Sequence, residues 1–189
     1  MKMEEGCPME EEHSMEGEHS DDDLVEQIRL GDEKAAEELI KRYYTSILLY
    51  CKRQGFDREK SEDLTQETFL KLFKNLSGYK GKKKFKPYLY TIANHLCIDE
   101  RRKIKVYPLE NEEEIGYECD EMRRIEDKSA ISYFLKSLSP EQREAVILRF
   151  GEQLAFKEIA QIVGCNIRTA QSRVRNALKI MRREYRNEK

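Results

Sequence analysis

From Phe156 to Arg175 the chain reads Phe-Lys-Glu-Ile-Ala-Gln-Ile-Val-Gly-Cys-Asn-Ile-Arg-Thr-Ala-Gln-Ser-Arg-Val-Arg, an order that few backbones accommodate. It predicts a short helix, a tight turn at Gly164 and a second helix. Ile159, Ala160 and Val163 form one apolar edge, and Ala160 is small enough to let the second helix pass close. Gly164 can adopt the left-handed conformation that such a turn needs. Ile167, Ala170, Val174, Leu178, Met181 and Tyr185 then recur every three or four residues, an apolar seam over several turns. Arg168, Thr169, Gln171, Ser172, Arg173 and Arg175 fall on the opposite side, where such groups can donate to phosphates and read base edges. A plain helical hairpin with a solvated basic face fits the same pattern. A glycine turn with alanine four residues before it favours a DNA-reading helix-turn-helix.

The charge distribution points the same way. The net charge of −2 conceals a strong segregation. Residues 1–23 carry one basic against ten acidic side chains, residues 71–105 eleven against two, and residues 166–189 eight against two. Residues 104–127 reverse the balance, with three basic against nine acidic. Two basic blocks flanking an acidic connector suggest two surfaces facing a polyanion.

The chain divides accordingly. Residues 1–20 hold too little apolar content to order themselves and fit a solubilising or autoinhibitory acidic arm. Asp21, Asp22 and Asp23 suit the cap of a helix from Leu24 to Gly31, and Asp32 opens a second helix to Gln54, stopped by Gly55. A third helix is expected over 58–76 and a fourth over 86–103, where Phe85, Tyr88, Leu89, Ile92, Ala93 and Leu96 keep helical period. Residues 105–128, with Pro108 and Gly116, break that period and read as a linker. A second domain is expected from Ser129, with Ser139-Pro-Glu-Gln142 as a capping box. No segment alternates with period two. The expected fold is all-α: a four-helix domain over 21–104 and a helix-turn-helix domain over 129–189.

Two further faces carry chemistry. In the third helix, Phe69, Leu72, Phe73 and Leu76 supply the buried side, while Asp63, Gln66, Glu67 and Leu70 share another face. A leucine within a polar stripe suits a hot spot for a partner helix, and a merely solvated face is the alternative. Lys80, Lys82, Lys83, Lys84 and Lys86 are interleaved with Tyr79, Phe85, Tyr88 and Tyr90. Lysines alone hold phosphates nonspecifically, whereas aromatics among them can stack on unpaired bases. Phe85 and Tyr88 fit the core equally well.

No Gly-rich phosphate loop, nucleophile motif or paired acid and base is present, so a non-enzyme is expected, with no cofactor. Cys7, His13 and His19 make too weak a set for a metal site, so none is expected. Cys51, Cys97 and Cys165 read as core residues, and five scattered cysteines fit reduced thiols. No apolar run is long enough to span a bilayer and no signal peptide is recognisable, which suggests a cytoplasmic protein without membrane insertion.

Four phrases in order, Asp63-Leu-Thr-Gln-Glu-Thr-Phe-Leu-Lys-Leu-Phe, Phe85-Lys-Pro-Tyr-Leu-Tyr-Thr-Ile-Ala, Asp99-Glu-Arg-Arg102 and Leu138-Ser-Pro-Glu-Gln-Arg-Glu-Ala, make the chain resemble the extracytoplasmic-function (ECF) sigma factors of bacteria. The likeness covers about residues 24–185. It implies recruitment of core RNA polymerase to promoters, help in opening the duplex, and an anti-sigma factor among the partners. On this resemblance Asp63, Gln66, Glu67 and Leu70 bind core polymerase. Lys80, Lys82, Lys83, Lys84, Phe85, Tyr88, Tyr90, Asn94, His95, Arg101 and Arg102 serve the −10 element, where the family's frequent Trp is Tyr88 and its usual Asn is His95, with Asn94 alongside. Arg168, Thr169, Gln171, Ser172, Arg173, Arg175 and Lys179 serve the −35 element. In this family the acidic linker threads the polymerase's RNA exit path. A stand-alone helix-turn-helix regulator, dimerising through its N-terminal helices, is the other reading. The Asp63–Phe73 phrase favours the sigma factor.

Overall fold

Local capping chemistry sets the helix boundaries. The computed structural model describes residues 19–81, 84–106 and 133–187, and among these residues there are helices and turns but no strand. The expected linker from 107 on, the boundary at Ser129, Lys82, Lys83, and Cys7 and His13 lie outside the described residues.

The first helix, α1 (Asp21–Arg29), is capped by Ser20, which accepts from the Asp23 amide while the Asp23 carboxylate accepts from the Ser20 amide. The helix expected from Leu24 therefore begins three residues earlier, because serine already satisfies the free amides. The three aspartates then sit in the first turn, beside the positive end of the helix dipole. The boundary drawn at residue 20 also moves. Ser20 is the cap, and the His19 carbonyl accepts from Arg42 Nη2 at 3.0 Å, so both belong to the folded unit. Asp32 caps α2 (Glu33–Arg53), accepting from the Lys34 amide at 2.9 Å, and Asp57 caps α3 (Arg58–Lys74) at 2.7 Å from the Lys60 amide. Between α2 and α3, Gly55 takes a φ of 98° that a side chain would resist. A 3-10 turn (Leu76–Gly78) tightens the end of α3, and α4 (Phe85–Val106) admits Pro87 in its first turn, where no intrahelical amide bond is lost. Leu24, Leu39, Ile47, Tyr50, Leu64, Leu72, Leu89 and Ala93 fill the interior of this four-helix unit.

The C-terminal unit opens with a helical turn at residues 133–136. The capping box expected at Ser139 forms: the Ser139 hydroxyl accepts from the Gln142 amide, and the Gln142 side chain accepts from the Ser139 amide. It starts α5 (Pro140–Val146), which widens into a π-turn (Ile147–Gly151) closed by the Glu152 amide on the Ile147 carbonyl at 3.1 Å. Then follow α6 (Phe156–Ile162) and α7 (Ile167–Asn187). The seam of α7 differs from the one expected. Ala170, Val174 and Ala177 are buried and Met181 packs on them, whereas Ile167, Leu178 and Tyr185 remain exposed. Steps of four, three and four keep 170, 174, 177 and 181 on one line of the helix, and the others fall on its flank. The small Ala170 and Ala177 let the neighbouring helices approach closely.

The two units share one continuous apolar core, with α4 packed against α6. Leu89, Ala93 and Cys97 on one side and Leu148, Leu154 and Ile162 on the other belong to it.

Candidate nucleic-acid interface

The helix-turn-helix is built as its spacing requires. Gly164 has a φ of 65°, and the Cys165 amide returns to the Ala160 carbonyl at 2.9 Å, closing α6. Asn166 then caps α7, its side-chain oxygen accepting from the Thr169 amide at 2.8 Å and the Thr169 hydroxyl at 3.0 Å. That cap engages the Thr169 hydroxyl and leaves the neighbouring groups to face outward. A groove between α6 and α7 is lined by Lys157, Gln161, Asn166, Arg168, Thr169 and Ser172. Arg168, Gln171, Arg175 and Lys179 are exposed along α7. Arg173 is not on the open side as expected. It is half-buried on the flank of α7, and its charge acts on Glu141 and Glu144 of α5. Lys157 and Gln161 were not singled out from the sequence, although their four-residue spacing on an exposed face was available to be read.

On α3 the structure brings Asp63, Gln66, Glu67 and Leu70 together on one exposed stripe, and Leu70 is 70% exposed. The opposite side buries Leu64, Thr65, Thr68, Phe69 and Leu72. Thr65 and Thr68 fit this apolar side because each hydroxyl donates to the carbonyl four residues earlier, at 2.7 Å. The stripe is thus not required by the core.

The aromatic set on α4 separates into core and edge. Phe85, Tyr90 and Asn94 are fully buried, so in this arrangement they are not platforms for bases. Phe85 packs between the rings of Tyr43 and Tyr79, at 5.5 and 5.7 Å, and Tyr90 meets Tyr50 edge-on at 5.3 Å. Burial, with the charge of Glu152 next, pushes the Tyr90 hydroxyl well above the usual phenol range. Tyr88 is half-buried, its ring 5.2 Å from that of Tyr79 and its hydroxyl donating to the Asn75 carbonyl at 3.2 Å. Lys80, Lys84, His95 and Arg102 are exposed near this helix or on it. Arg101, placed at the −10 element by the resemblance, is half-buried and engaged within the fold. Its guanidinium donates to Gln54 and lies 5.6 Å from the Phe56 ring centre, tying α4 to the end of α2.

Two family models match in the order of these two units: Sigma-70 region 2 over residues 39–106, and Sigma-70, region 4 over residues 122–181. The RNA polymerase sigma factor YlaC of Bacillus subtilis is 31% identical over 139 residues, covering 69% of this chain and 80% of that protein. The ECF RNA polymerase sigma factor SigW of the same organism is 24% identical over 178 residues, covering 86% and 95%. The chain belongs to the ECF sigma factors of the sigma-70 family.

In this sigma factor, region 2 spans α2 to α4, and region 4 takes in α5 to α7. The fold is likewise that of solved sigma factors. RpoE from Bartonella quintana, in complex with the anti-sigma factor NepR, superposes with a TM-score of 0.70 at 21% identity, covering 81% of this chain and 98% of that one. CnrH, in complex with the cytosolic domain of CnrY, gives 0.67 at 15% identity, covering 89% and 99%. The region 2 match removes the basis for reading the N-terminal helices as the dimerisation module of a stand-alone regulator.

Proposed function

We propose that this sigma factor joins core RNA polymerase through the Asp63–Gln66–Glu67–Leu70 stripe and directs it to promoters with two asymmetric elements. The observation that carries the reading is the coincidence of an exposed stripe with a bare leucine in the region 2 match and an open basic groove in the region 4 match. Arg168, Gln171, Ser172 and Arg175 then serve the −35 element, and Lys179 holds a phosphate further along α7. Thr169 contributes mainly through its cap with Asn166. Lys80, Lys84, Tyr88, His95 and Arg102 are the groups that an unwound −10 strand meets first. The chemistry of RNA synthesis is the polymerase's, and the role is cytoplasmic; no helix among the described residues is long and apolar enough to cross a membrane. An anti-sigma factor is a further expected partner, a reading supported by the solved sigma factors of this fold that are bound to one.

Gel-shift assays on a promoter fragment separate this reading from the regulator. The sigma factor shifts the fragment specifically only with core polymerase added, whereas specific, palindrome-dependent binding by the chain alone would overturn the proposal.

A further inference from the structure

Lys86, Tyr90 and Asn94 follow one another at four-residue intervals on α4 and form a row of hydrogen-bond donors along one face. The C-terminal unit occupies all three. Lys86 Nζ donates to the Glu152 carbonyl at 2.9 Å and lies 3.4 Å from the Glu152 carboxylate. The Tyr90 hydroxyl donates to the same carboxylate. Asn94 Nδ2 donates to the Ile162 carbonyl, at the end of α6, at 3.3 Å. Glu152 is only 6% exposed, an unusual position for a carboxylate unless its charge is matched.

The backbone around Glu152 is arranged to present it. The π-turn ends there, and the next residue, Gln153, takes a φ of 57° although it has a side chain. A left-handed non-glycine residue carries a conformational cost that the surroundings must hold in place. The Leu154 amide, bonded to the Leu148 carbonyl at 3.1 Å, then closes the turn back toward the helix-turn-helix.

A lysine, a phenol and a carboxamide in a row are the groups that hold a phosphodiester and a base edge. A carboxylate offers them the same charge and the same oxygen acceptors. We propose that Glu152 is an internal phosphate mimic, latching the C-terminal unit over the Lys86–Tyr90–Asn94 row so that the free chain is closed to single-stranded −10 DNA. The nucleic acid and Glu152 compete for one set of donors, and the row becomes available only when the C-terminal unit lifts from α4. This explains why Tyr90 and Asn94 carry donors yet lie buried in the closed chain. The inference rests on the region 2 reading given above.

The test uses the full-length chain and its Glu152→Gln variant, which keeps size and removes charge. Lys86 is partly exposed and can turn to solvent in the variant. The measurements are the radius of gyration by small-angle X-ray scattering and the affinity for a short A/T-rich single-stranded oligonucleotide at low salt. Apparent affinity scales with the fraction of open chains, so a latch closed about nine-tenths of the time gives a gain of about tenfold on release. The expected result is a larger radius and that gain, with affinity for a −35 duplex unchanged. Circular dichroism verifies folding, and Glu152→Asp, which keeps the charge but shortens its reach, is expected to fall between. A radius and a single-strand affinity unchanged in both variants would overturn the latch, as would a larger radius without a gain in affinity. Transcription with core polymerase keeps the two ideas apart: wild type active with both quantities unmoved refutes the latch alone, and wild type inactive refutes the sigma-factor reading.

Discussion

Replacing the Glu144 carboxylate should strengthen this protein, and the effect should depend on pH. Glu144 lies on α5, 6% exposed, where α5 meets α2, α4 and α7. Burial pushes its carboxyl from 4.5 up to about 7, because Arg101 and Arg173 only partly offset the loss of water and Glu141 adds repulsion. Tyr50 and Cys97 are the other titratable groups within its influence. Its Oε1 has no hydrogen-bond partner among the described residues, and neither has Nε2 of the buried Gln54. A carboxyl whose pKa is raised by folding is easily protonated in the native state. Its contribution is therefore fully present below about 4.5 and is lost as pH rises through about 7. At about 1.4 kcal/mol per pKa unit, a rise of this size costs roughly 3 kcal/mol at neutral pH. Glu144→Gln removes that cost. It should raise the stability by roughly 3 kcal/mol at pH 8, or roughly 6–12 °C in Tm, and by less than about 1 kcal/mol at pH 5. Asp23, Glu100 and Glu141 shift the opposite way, so the difference between variant and wild type, followed by urea unfolding across pH, isolates Glu144. Curves that run parallel from pH 5 to pH 8 would refute the reasoning.

Other substitutions test other parts of the account. Leu70→Arg should abolish co-purification with core polymerase and leave circular dichroism unchanged, since that side chain is mostly exposed and lies outside the core; normal assembly would move the docking surface elsewhere. Arg168→Ala should cost about 1–3 kcal/mol and relax base preference at one −35 position in a library selection, whereas Lys179→Ala should weaken all sequences alike. Asn166→Ala should destabilise α7 by about 1 kcal/mol through loss of its cap, measured by thermal unfolding.

Much of the fold was legible because its determinants are local. Asp32, Asp57, Ser139 with Gln142, Gly55 and Gly164 mark helix ends by chemistry that acts over three or four residues. The start of α1 is less legible, because any of Ser20 and three successive aspartates suits a cap and only the Ser20–Asp23 pairing selects the serine. The α3 stripe was readable since its polar residues and Leu70 share a period that the core does not use. The α4 face was not. Tyr90 and Asn94 follow a lysine-rich run in sequence, but what covers them is the loop at Glu152 and the end of α6, more than 60 residues away. Arg173 failed for the same reason, since its partners lie on α5. Helical period places a residue on a face; only the packing of elements distant in sequence says whether that face meets solvent.

The central claim is that this chain confers promoter choice on core polymerase. Its most direct test is run-off transcription on a genomic fragment library with purified core enzyme, with and without the chain. The account predicts new, discrete start sites that appear only when chain and core are both present, each preceded by two conserved, non-palindromic elements, and that vanish with Leu70→Arg. Start sites unchanged by adding the chain would contradict it.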